Sequence, residues 1–214
     1  MIRFDTLPPE VMQAMCTPMH QILPPTPLPP SAHASHPSSS SPYAPYATPS
    51  HSTQPPRMSG ALYLGSLTAS NDHPLLRSHG ITHLVQALEA SWAPPALASD
   101  GFSTFSVDIR DKESVDIGPH LERACVWIEG ALRRGEGVLV HCQQGVSRSP
   151  SIIIAYLIRN HGMSYADALA FVKRKRACAK PNPGFARALV EWEHMWASRR
   201  GQGGRPGVGR RFTS

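Results

Sequence analysis

Apolar and polar positions follow two different periods along the middle of the chain. Between Phe102 and Ile109, the residues Phe105, Val107 and Ile109 recur at every second position, the period of a half-buried strand. Leu62-Tyr63-Leu64, Ile81 to Leu88 and Gly137 to His141 are apolar runs of strand length. Other stretches keep a helical spacing. Leu75 to Gly80 reads as a helix end capped by Gly80. Leu121, Cys125, Ile128 and Leu132 fall on one face of a helix that Gly135 and Gly137 end. Ile152 to Asn160 is apolar nearly all round, which predicts a central, buried helix. Ser164 and Asp167 have capping-box spacing and open a helix that runs to about Arg176. Pro181 to Gly184 form a turn, after which Phe185, Leu189, Trp192 and Trp196 line one face of a last helix. Strands alternating with helices predict an α/β fold, a three-layer sandwich with a central, mostly parallel sheet flanked by helices.

Outside that middle the periodicity fades and composition takes over. Of 22 prolines, most lie before Met58. Residues 1–56 read as a disordered Pro/Ser-rich head, because such a segment buries too little apolar surface to offset its ordering entropy. Leu23 to Pro30 favours polyproline II; it reads as a bare linker or as the ligand of an SH3-type partner. Residues 199–214, rich in Gly and Arg, read as a disordered tail. That leaves 57–198 as a single domain, expected to work without either end.

Charge and cysteine usage narrow the chemistry. A net charge of +6 suits phosphorylated, acidic substrates, and no nucleic acid is expected as partner. Cys16, Cys125, Cys142 and Cys178 are widely spaced, with neither a disulfide framework nor a zinc pattern, so no metal or cofactor is expected. Free thiols suit a reducing compartment, the cytoplasm or nucleus. The longest apolar run, Ile152 to Ile158, is too short to span a bilayer, and no secretory signal is read at the N-terminus; no membrane association is expected.

The most informative stretch is Val138 to Ser149. A buried strand runs into a short polar loop, and the loop into the most apolar helix of the chain. Loop amides and a helix N-terminus then converge on one point with positive partial charge, an anion site. Gly145 lets the loop turn back, and Arg148 can close the cradle with a planar fork that matches phosphate oxygens. Gln143, Gln144, Gly145, Val146 and Ser147 would supply the amides. Cys142 stands at the loop entrance, where the same dipoles favour its thiolate. Ser149 can donate to the sulfur, and His141 is placed to support the loop backbone.

His-Cys-x-x-Gly-x-Ser-Arg-Ser-Pro resembles the signature loop of the dual-specificity protein phosphatases, within the protein tyrosine phosphatase superfamily. The resemblance runs from about Met58 to Trp196. Leu62-Tyr63-Leu64-Gly65-Ser66 with Ala69-Ser70-Asn71, Gly80 to Val85, and Lys180 to Phe185 are similar to flanking segments of that family. It implies a cysteine-dependent phosphatase acting on phosphotyrosine and phosphoserine/threonine in a protein. It also implies a general acid on a loop upstream of the cysteine, at Asp111 by position, with Asp108 as rival. A lipid, glucan or RNA phosphate is the alternative substrate, and a phosphoprotein-binding module the non-catalytic alternative. Two further features read as structural. Cys125 lies on an apolar helix face as core, with a resolving disulfide to Cys142 as the lesser reading. Lys173-Arg174-Lys175-Arg176 ends a helix, where cations suit the dipole, although the run also resembles a nuclear localisation signal.

Overall fold

The computed structural model describes residues 8–29, 56–89 and 101–202. In chain order the elements are α1 (Pro9–Cys16), β1 (Met19–Leu23), β2 (Leu62–Gly65), α2 (Leu67–Asn71), α3 (His73–Ser78), β3 (Ile81–Leu88), β4 (Ser103–Asp108), α4 (Gly118–Arg133), β5 (Gly137–His141), α5 (Arg148–His161), α6 (Tyr165–Lys175) and α7 (Pro183–Gln202). The strands form one sheet in the order β1-β2-β5-β3-β4, parallel throughout except for β1.

Alternation along the strands builds two unequal cores. Val138 and Val140 of β5 join Leu62 and Leu64 of β2 in the larger core beneath α4, α5, α6 and α7. Leu139 and Tyr63 turn to the other face, where Leu76 and Ala69 of α3 and α2 cover them. Helix α5 is buried at every position from Arg148 to Ile158 and is the axle of the thick layer, as its unbroken apolar sequence predicts. Gly135, at φ +88°, turns the chain from α4 into β5. Gly137 opens β5 where a Cβ would lie 2.4 Å from the carbonyl oxygen of Gly80.

The head corrects the sequence reading. Residues 9–23 are an ordered helix and strand, with Met19, His20 and Gln21 opposite Gly65, Leu64 and Tyr63. Ile22 and Leu23 are buried in the larger core. Composition averaged over a proline-rich stretch concealed a five-residue strand. The proline run is also engaged at its start. The amide of Leu28 donates to Arg57 O at 2.7 Å and that of Ser59 to Thr26 O at 2.8 Å. The rest of the predicted disordered head, 1–7 and 30–55, lies outside the described residues, as do 203–214 of the predicted tail. Residues 199–202 of that tail continue α7, and Arg200 Nη1 donates to Ile158 O at 3.0 Å, near the end of α5. Among the described residues no helix is long and apolar enough to cross a membrane.

Candidate active site

Strand β5 delivers Cys142 to the top of the sheet and α5 carries the chain away, with residues 142–147 turning between them. The carbonyls of residues 143–147 are all engaged outward. Gln143 O accepts from the Leu67 amide, Gln144 O from Arg176 Nη2, Gly145 O from Arg176 Nε and Val146 O from the Lys180 amide. Ser147 O accepts from both the amide and the hydroxyl of Ser151, inside α5. Among the described residues the amides of Gln143, Gln144, Val146, Ser147 and Arg148 have no acceptor in the protein. A peptide chain with its carbonyls tied back presents its N–H groups to the opposite side, and they add to the positive end of α5.

Cys142 is 2 % exposed, and its Sγ receives two hydrogen bonds, from the Gly145 amide and from Ser149 Oγ, each at 3.2 Å. Gly145 reaches this position at φ +69°, with Gly65 O only 2.7 Å from where its Cβ would stand. Arg148 is buried, and its Nε has no hydrogen-bond partner among the described residues. The carboxylate it faces is Asp111, with Oδ2 at 3.9 Å.

Asp111 arrives on the loop after β4. Its Oδ1 accepts from Ser147 Oγ at 2.7 Å and from Asn182 Nδ2 at 2.9 Å. Those two bonds hold one oxygen and leave Oδ2 toward Arg148 and a cavity of about 190 Å³ lined by Leu88, Glu89, Arg110, Asp111, Lys112, Gln143 and Arg148. Asp108 ends β4 with an exposed side chain and does not line this cavity. The structure therefore brings Cys142, Arg148 and Asp111 together and leaves the rival carboxylate outside.

Two departures concern expected supports. His141 is fully buried, and neither ring nitrogen has a hydrogen-bond partner among the described residues. Burial, opposed weakly by the Cys142 main chain, pushes the His141 imidazole down to about 4, so the ring is neutral. Ser147 has a second use besides its amide, since its hydroxyl orients Asp111. Cys125 is wholly buried on α4 with its thiol pushed far up by burial, as a core residue should be.

Sequence reasoning missed two residues. Asn182, read only as part of a turn, bonds both Asp111 and, through its amide, Ser147 Oγ at 3.1 Å. Nothing local marks it, because its partners lie 71 and 35 residues away. Arg176, read only as one of four cations ending a helix, is 0 % exposed and is the C-cap residue of α6. Here a signal was present, since Ala168, Val172 and Arg176 repeat every four residues on the buried face of α6.

Comparison with known proteins agrees with the geometry. Residues 62–195 match the family described as dual specificity phosphatase, catalytic domain. Dual specificity protein phosphatase 1 of Arabidopsis thaliana is 42% identical over 132 residues, which are 62% of this chain and 65% of that protein. The crystal structure of human DUSP28 shares 35% identity at a TM-score of 0.59, covering 64% of this chain and 90% of that one. That of the human tyrosine phosphatase-like serine/threonine/tyrosine-interacting protein shares 34% at 0.60, covering 64% and 93%. With the strand–loop–helix around Cys142, the outward carbonyls and a match over most of the ordered chain in agreement, the protein belongs to the dual specificity phosphatase family.

Proposed function

We propose that this chain is a protein phosphatase that hydrolyses phosphotyrosine and phosphoserine/threonine through a phosphocysteine on Cys142. The observation that carries the reading is the sulfur of Cys142, held by two donors at the focus of a loop whose carbonyls at residues 143–147 all bond outward. Five unengaged amides and the unpartnered Nε of Arg148 match the equatorial oxygens of a phosphoryl group. The Cys142 thiolate attacks phosphorus, the S–P bond forms and the P–O bond to the leaving group breaks. Asp111, protonated at Oδ2, gives its proton to the departing oxygen. Ionised Asp111 then takes a proton from water as that water attacks the phosphocysteine, releasing inorganic phosphate and the thiolate. The setting is a reducing compartment, cytoplasm or nucleus, where Cys142 stays free.

The second reading, a phosphoprotein-binding module, takes its support from the name of the serine/threonine/tyrosine-interacting relative. The presence of Cys142, Arg148 and Asp111 together favours turnover. The test presents the purified chain with phosphotyrosine and phosphothreonine peptides, a phosphoinositide and a phosphoglucan side by side. Release of phosphate from the peptides at the highest kcat/KM is expected. Faster release from the lipid or the glucan overturns the protein-substrate reading, and tight peptide binding without release leaves the binding module.

A further inference from the structure

The largest fully buried side chain among the described residues belongs to a cation, Arg176. Four of the five N–H groups of its guanidinium donate to acceptors in the protein. Nε donates to Gly145 O at 2.9 Å and Nη2 to Gln144 O at 3.0 Å, both on the back of the loop that cradles Cys142. Nη1 donates to Thr17 O at 2.9 Å and to His20 Nδ1 at 3.0 Å, on the N-terminal segment. No carboxylate among the described residues lies within ion-pair distance of it. Burying a cation without a counter-ion is strongly unfavourable, so a neutral role in packing does not account for it. The contact is also close by construction, because a Cβ on Gly145 would stand 2.8 Å from Nη2.

We propose that Arg176 is a positioning residue of the phosphate site. It holds the Gln144 and Gly145 carbonyls away from Cys142 so that the loop amides face the sulfur, its charge favours the thiolate, and the N-terminal strand holds Arg176 in turn. The assignment rests on the phosphatase reading for the identity of the anion. Burial pulls the guanidinium below its ordinary value, and the sulfurs of Cys178 and Cys142 pull it back up, the attraction a thiolate would return. The titratable groups around that sulfur are Arg148 on α5, Asp111 on the loop after β4, neutral His141 on β5, and Arg176 and Cys178 after α6, with His20 behind Arg176. Of these, Arg148 and Arg176 carry positive charge at neutral pH, one on each side of the loop.

Arg176→Lys and Arg176→Met, in the full chain, separate the fork from the charge. Two readouts do not need turnover: tungstate affinity by calorimetry, and the pH midpoint of Cys142 alkylation by iodoacetamide. The alkylated Cys142 peptide is followed by mass spectrometry because Cys16 is exposed. Thermal unfolding reports whether each variant is folded. Arg176→Lys is expected to weaken tungstate binding by about tenfold, since a point charge cannot hold two carbonyls in fork geometry. Arg176→Met is expected to weaken it further and to raise the alkylation midpoint. A folded variant of either kind with lowered melting temperature but unchanged tungstate affinity and midpoint overturns the proposal. If the Met variant does not fold, the Lys variant decides by its tungstate affinity. Failure of the phosphatase reading is separate: the wild-type chain would bind tungstate and alkylate normally yet release no phosphate.

Discussion

Asp111 lines the cavity beside Arg148, and Cys142 lies in the loop that ends at Arg148; substitutions at the two positions test the proposed roles of acid and nucleophile separately. Cys142→Ser should abolish hydrolysis of para-nitrophenyl phosphate with the fold intact, because an oxygen there stays protonated; retained turnover in a folded variant removes the thiolate mechanism. Asp111→Asn should lower kcat about a hundredfold on phosphoserine peptides and far less on aryl phosphates with acidic phenols, and it should flatten the basic limb of the pH profile. Asp108→Asn is the control; the reverse pattern would transfer the role to Asp108. His141 makes a prediction about stability. Its folded value near 4 lies below the unfolded 6.5, so the unfolded chain binds the extra proton between those limits. Stability should therefore fall as pH drops from about 6.5 to 4, by about 3 kcal/mol from this residue. His141→Gln should flatten that part of a urea-unfolding series, and an unchanged slope would count against a neutral buried ring.

At the scale of elements, the turn into α7 works as a clamp on the loop that carries Asp111. Asn182 reaches Asp111, and a Cβ on Gly184 would lie 2.0 Å from Glu113 O. Gly184→Ala should push that loop away from Cys142. The loss in kcat should be greater on alkyl than on aryl phosphates, and an equal loss on both would point to a general disturbance. Strand β1 is the element that composition hid. Ile22 is 1 % exposed, and Ile22→Ala should cost about 2–4 kcal/mol in urea unfolding. A cost near zero would mean that β1 is detached in solution. Most other elements were legible for a plain reason: β3, β5, α4, α5 and α6 each carry a long apolar pattern of one period. Helix α2, five residues long, carries too little pattern to be read.

For the whole molecule, the N-terminal segment changes what counts as the catalytic domain. The sequence argues for 57–198 as self-sufficient, but Thr17 and His20 hold Arg176, and Ile22 and Leu23 lie in the main core. A chain of 57–198 exposes the edge of β2 and leaves Arg176 with two of its four acceptors. It should melt well below the 8–202 chain and bind tungstate less tightly. Equal melting temperature and equal turnover would show that residues 8–29 are dispensable.

What sequence alone determined is local in origin. The α/β alternation follows from hydrophobic periods within single elements. Cys142, Gly145, Arg148 and Ser149 lie within eight consecutive residues joining a strand to a helix, so their joint chemistry is visible without the fold. Tertiary structure decided whatever depends on partners far apart in the chain. It put Asp111 rather than Asp108 at the cavity, held there by Ser147 and Asn182, 36 and 71 residues away. It placed Arg176, legible in the sequence only as a helix-end cation, on the underside of the loop, through bonds that span 31 and 159 residues. And it made a strand of Met19–Leu23, because a five-residue segment gains its order from the sheet edge beside it, not from its own composition.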